Sequence, residues 1–168
     1  MKNNLLQKIL ISLIVIGIIV VGIITAKAIM VKNVNSKKEI TAEQFKEKMS
    51  DKGYYISSII GEQSPKYLKS AYTAISKDQV YDIKFYEAPT DEDALKNVFL
   101  KEKEAIEKEP NKKVEKDIKI KQYNYFKAEI NNKIYIVIKN GKTVIITKID
   151  KSKEKEVNQI LKEFNYIL

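Results

Sequence analysis

The chain has no cysteine, histidine, tryptophan or arginine, and only three prolines and five glycines in 168 residues. Without cysteine there are no disulfides, no thiolate nucleophiles, no lipidated Cys and no thiolate metal sites. Without histidine the commonest general base and transition-metal ligand is missing as well. Zinc hydrolases and Ser-His-Asp or Cys-His chemistry are therefore excluded, and no cofactor motif takes their place. The acidic cluster Asp91-Glu92-Asp93 behind Thr90 lacks the alternating ligands and the glycine of an EF-hand loop. It reads instead as a capped helix start, where the macrodipole favours negative charge.

Every one of the 31 basic residues is lysine, and isoleucine and asparagine are abundant, a pattern typical of AT-rich coding bias. That bias weakens any inference from the net charge of +9. Lys2, Lys8 and Lys27 flank the one long apolar run and every acid lies beyond Met30, so the remainder carries 28 lysines against 22 acids. Such a domain is favoured beside anionic surfaces, but the charge alone is no nucleic-acid signature.

The long run is Ile9 to Ala26, eighteen residues without a charge. At about 1.5 Å per residue it nearly matches a hydrocarbon core of roughly 30 Å, so it is expected to be a transmembrane helix. A cleaved signal is the alternative, with Ala26-Lys27-Ala28 in the A-x-A form, but the run exceeds a usual signal core. Gly17 and Gly22 are five apart and do not make a G-x-x-x-G face. Lysines on both sides leave orientation undecided by charge. The short end before the span favours a cytoplasmic N-terminus with the domain outside. The expected organisation is a signal anchor over residues 1–30, a juxtamembrane linker over 31–39 and an extracytoplasmic domain over 40–168.

Within the domain, Thr41 and Gln44 form a capping box, with Ile40 and Phe45 placed as a hydrophobic staple, so a helix is expected over Ala42 to Lys52. Gly53 supplies its stop. Strands are expected at Tyr54 to Ile60, Leu68 to Ser76 and Gln79 to Glu87, then a helix from Asp91 to before Pro110. After a loop at Asn111 to Lys116 come strands at Asp117 to Ile130, Lys133 to Lys139 and Lys142 to Ile149, joined by Asn131-Asn132 and Asn140-Gly141. A closing helix carries Val157, Ile160, Leu161, Phe164 and Leu168 on one stripe. The fold expected is α+β: a transmembrane helix followed by one mainly antiparallel sheet of about six strands, ordered helix-βββ-helix-βββ-helix, with three amphipathic helices.

Two-residue turns fix which residues share a face. Phe126, Ala128 and Ile130 fall with Tyr135, Val137, Val144 and Ile146, while Ile134, Ile136, Ile138, Ile145 and Ile149 fall opposite. Either helices cover both sides, or the isoleucine side is open to a protein partner. A second candidate surface is the stripe Lys119, Lys121, Tyr123, Tyr125 and Lys127, basic residues interleaved with aromatics along the first strand of the second half. It suits an anionic polymer, either wall polymer or single-stranded nucleic acid with the second disfavoured by export, and anionic lipid is a further candidate partner. The competing reading is an edge strand guarded by lysine. Ser152-Lys153-Glu154-Lys155 matches S-x-x-K, but its partner motifs are missing, which leaves a Ser-Lys hydrolase as a distant alternative.

The apolar span, the capped helix running into Gly53-Tyr54-Tyr55, the strands and the closing amphipathic helix together resemble the small single-pass, membrane-anchored proteins of AT-rich Gram-positive bacteria, in layout and composition rather than in a diagnostic motif. The resemblance implies an exported α+β domain and no activity. The expected role is a membrane-tethered, non-enzymatic binding or protein-interaction module. The alternative is an envelope stress or assembly factor acting through the isoleucine face.

Overall fold

A computed structural model describes residues 37–61 and 65–167, together with Ser12, Val15, Ile16, residues 18–22, Thr25, Ala28, Ile29, Val31 and Lys32. The chain divides into two units, Met1–Ser36 and Lys37–Leu168. In the first unit the described residues are helical. Crossing a bilayer takes about 20 residues. Among the described residues no helix is long and apolar enough to cross a membrane. This corrects the sequence expectation of a transmembrane signal anchor, and the single-pass cell-membrane placement with an outside domain loses its basis. Lys2, Lys8, Gly17, Lys27 and the Ala26-Ala28 cleavage signature lie wholly or partly outside the described residues.

The second unit begins at Lys37, before the Ile40 boundary expected from the sequence, because Lys37 to Glu39 are hydrogen-bonded to the domain. Lys37 is buried, its Nζ donating to the Asn165 carbonyl at 2.8 Å, and the Asn140 amide donates to the Lys38 carbonyl at 3.2 Å. Helix α1 (Ala42–Asp51) follows, with both hydrogen bonds of the Thr41/Gln44 capping box in place.

The sheet has seven antiparallel strands, which corrects the expected six. They are β1 (Tyr55–Ser58), β2 (Ser70–Ile75), β3 (Asp82–Glu87), β4 (Lys113–Ile120), β5 (Tyr123–Ile130), β6 (Lys133–Asn140) and β7 (Thr143–Asp150). The additional strand comes from the stretch expected to be one long strand, Asp117 to Ile130. Lys121 takes a left-handed φ of +49°, so the chain reverses at Lys121-Gln122 and pairs Ile120 with Tyr123. The loop expected at Asn111 to Lys116 is largely the start of β4. The second half is thus a four-strand meander, not the expected three strands.

Spatial order is β1-β2-β3-β7-β6-β5-β4, so the last strand joins the two parts of the sheet by pairing with β3, from Ile83 with Thr147 to Glu87 with Thr143. Asn131 and Asn132 are both left-handed, φ +49° and +63°, and make the expected two-residue turn. The β6–β7 turn falls at Gly141-Lys142, one residue later than expected, with Asn140 pairing Thr143. That shift moves both strands together, and each side chain keeps its face.

Both faces are covered. Helix α2 runs from Asp91 to Glu107 as an α-turn (Asp91–Asp93), a π-helical segment (Ala94–Phe99) and an α-helix (Leu100–Glu107). It packs Ala94, Val98, Phe99 and Ile106 onto Phe126, Ala128, Val137 and Val144. The opposite face takes α1 and the closing helix α3 (Glu154–Glu163). Phe45 of α1 stacks on Phe85 at 4.9 Å between ring centroids and meets Phe164 at 5.8 Å. Ile134, Ile136, Ile138, Ile145 and Ile149 lie buried on this side, at most 1% exposed.

Candidate functional site

The hairpin register decides where the expected basic stripe goes. Ile120 pairs Tyr123, Ile118 pairs Tyr125 and Lys116 pairs Lys127, so these six residues share one face, the side that α3 covers. Lys119 pairs Asn124 and points to the other face, and Lys121 sits in the turn. The sequence had placed all five on one continuous strand. In the fold Tyr123, Tyr125 and Lys127 stay together, and Lys116 takes the position beside them.

Tyr123 and Tyr125 form the floor beneath α3. Both are buried, and the Tyr123 hydroxyl donates to the Tyr166 carbonyl at 2.8 Å. Burial raises both phenols, Tyr125 to about 12, so both stay protonated at any physiological pH. The Lys116 ammonium lies over the Tyr125 ring, 5.2 Å from its centroid.

Lys127 bridges strand and helix. Its Nζ meets Glu115 Oε2 at 2.5 Å and forms a second short ion pair with Glu154 Oε1. Desolvation pulls this lysine down, but hydrogen bonds and charge from the two carboxylates outweigh it and hold the ammonium above its ordinary value. The same contact holds the Glu115 carboxyl below the usual range. On α3, residues 154, 158 and 162 follow one another at i, i+4 and i+8 and form a single stripe. Asn158 donates weakly to Glu154 Oε1 at 3.4 Å, and its own Oδ1 is buried with no hydrogen-bond partner among the described residues.

Between hairpin and helix these groups enclose a cleft of about 330 Å³. A larger and more open depression along α3 shares Glu154, Asn158 and Lys162 with it and adds Lys151 and Lys155. Five lysines (116, 127, 151, 155 and 162) therefore face two glutamates across the combined walls. Glu115 and Glu154 are taken by Lys127 and Lys151 by Glu129, which leaves Lys116, Lys155 and Lys162 without a carboxylate among the described residues. The excess of positive charge favours an anion.

The remaining candidates are committed elsewhere. Asp91 pairs with the buried Lys139 at 2.6 Å, Glu92 with Lys96, and Asp93 with Thr90 and Asn97. Among the described residues no three acids come together as a metal-binding group. Ser152 and Lys155 of the S-x-x-K match are both exposed, and no hydrogen bond joins them.

No family model matches this chain, and neither a curated protein nor a solved structure does. The cleft is therefore read from its own chemistry. Of its residues, the sequence singled out Tyr123, Tyr125 and Lys127 and passed over Glu115, Lys116, Glu154, Asn158 and Lys162. Hydrophobic parity gave no sign of the hairpin, because Ile118 and Ile120 keep the even-numbered positions of Phe126, Ala128 and Ile130, as one continuous strand would.

Proposed function

We propose that the domain is a non-enzymatic binding module that takes an anionic ligand in the cleft between the β4–β5 hairpin and α3. The observation that carries this reading is the set Lys116, Lys155 and Lys162, three ammonium groups along the cleft and the depression beside it that have no carboxylate partner among the described residues. The tyrosine floor and the Lys127 bridge hold the site rigid, since their hydrogen bonds and ion pairs join the sheet to the helix. Concave sites with a few convergent polar groups are where ligands bind. The alternative of a protein partner on the isoleucine face has no support, because all five of those side chains are buried beneath helices.

The test is a titration with a sulfated polysaccharide and with its uncharged parent, at several salt concentrations. Binding to the charged polymer alone is expected, weakening as salt rises. Replacing both Lys116 and Lys162 by Gln should weaken it about tenfold, equivalent to roughly 1.4 kcal/mol. Replacing Lys119 and Lys121 should leave it unchanged. A double Lys116→Gln, Lys162→Gln variant that binds like the parent overturns the assignment.

A further inference from the structure

Resting on the anionic-ligand reading, we infer that the ligand of this cleft also carries hydroxyl groups, as a sugar or polyol bearing a phosphate or carboxylate does, and that Asn158 and Glu154 read those hydroxyls. The inference comes from acceptors rather than from charge. Asn158 Oδ1 is buried and accepts nothing. Glu115 uses Oε2 and Glu154 uses Oε1 on Lys127, and the second oxygen of each carboxylate has no partner among the described residues. The Tyr125 hydroxyl likewise makes no hydrogen bond there.

A bare inorganic anion satisfies only half of such a site. It pairs with the lysines, leaves the Asn158 acceptor empty and brings its own charge toward Glu115 and Glu154. Hydroxyl groups donate to those acceptors and carry no charge to repel. The order along α3 separates the two roles. Glu154 and Asn158 stand at the acceptor end, and Lys162 stands one further turn along, about 6 Å from Asn158 at helical rise. That separation is the reach of one monosaccharide unit with its charged substituent.

The experiment titrates the full chain with inorganic phosphate, ethyl phosphate, glucose 6-phosphate and glucose, followed by calorimetry and by amide shifts. Glucose 6-phosphate is expected to bind about tenfold more tightly than ethyl phosphate or inorganic phosphate, with glucose giving no saturable response. Asn158→Leu should erase that tenfold advantage and leave inorganic phosphate affinity unchanged, whereas Lys162→Gln should weaken every phosphate together. Equal affinity for ethyl phosphate and glucose 6-phosphate overturns the hydroxyl inference while leaving the anion reading in place. No response to any phosphate overturns both. The comparison of the two phosphate esters is made on the unaltered chain, so it decides the matter even where Asn158→Leu fails to fold.

Discussion

Lys127 is the residue on which the cleft is built. Its side chain is 13% exposed, against 25% for Glu115 and 24% for Glu154, and truncating it leaves two carboxylates facing each other without the charge between them. Exposed pairs contribute about 0–1 kcal/mol and breaking a fully buried one costs 3–5, so Lys127→Met should cost about 2 kcal/mol in urea unfolding at neutral pH. The pH dependence follows from the direction of the two shifts. Glu115 is held below its ordinary 4.5, so its share is present above that value and is lost as pH falls through the lowered one. Lys127 is held above 10.5, so its share is complete below that value and is lost as pH rises through the raised one. The stability gap between parent and Lys127→Met should therefore be widest on the plateau between those limits and narrow at both ends. A gap independent of pH would mean that Lys127 contributes packing alone.

At the scale of elements, the β6–β7 turn joins three parts of the chain. Gly141 sits at φ +54° and donates its N–H to the Gln122 carbonyl in the β4–β5 turn at 3.1 Å, while the neighbouring Lys142 N–H donates to Glu39 at 3.0 Å. A Cβ at Gly141 would come within 1.9 Å of the Glu39 carboxylate. The left-handed backbone alone costs an L residue about 1–2 kcal/mol, so Gly141→Ala should lower stability by at least that much. Gly61→Ala is the control: its Cβ meets nothing within 4 Å, and a change within about 0.5 kcal/mol is expected in the same thermal melts.

Local chemistry made these elements legible in unequal measure. The Thr41/Gln44 box and the Asn131-Asn132 turn are complete within a few residues, and both stand where the sequence put them. The Lys121-Gln122 reversal carries neither Asn nor Gly, so the usual turn chemistry is silent there. Lys37 to Glu39 look like a solvated tether in one dimension, because their partners Asn165, Asn140 and Lys142 lie more than 100 residues away. Glu154, Asn158 and Lys162 are indistinguishable from any polar helix stripe until the hairpin is set against them.

For the whole domain, the decisive pairing is β3 with β7. The β4–β7 meander is built from turns of two residues, whereas Ile83 must find Thr147 and Phe85 must find Ile145 across more than fifty residues of chain. Local contacts form ahead of such closures. In kinetic unfolding, Val137→Ala in β6 should chiefly slow folding, and Phe85→Ala, which also removes the stack on Phe45, should chiefly speed unfolding at a cost of about 3–5 kcal/mol. The reverse assignment would place β3 in the folding nucleus. The same sheet order explains why the cleft lies at one margin. The central strands are covered by helices on both faces, and the cleft opens at the β4–β5 edge among tyrosine, lysine and carboxylate groups.

The most direct measurement is an amide-shift map of the intact chain during titration with glucose 6-phosphate. Saturable shifts clustered on Glu115, Lys116, Tyr125, Lys127, Asn158 and Lys162 are the predicted result. Shifts spread evenly over the lysines of every face, or concentrated around Lys119 and Lys121, would contradict a built site beneath α3.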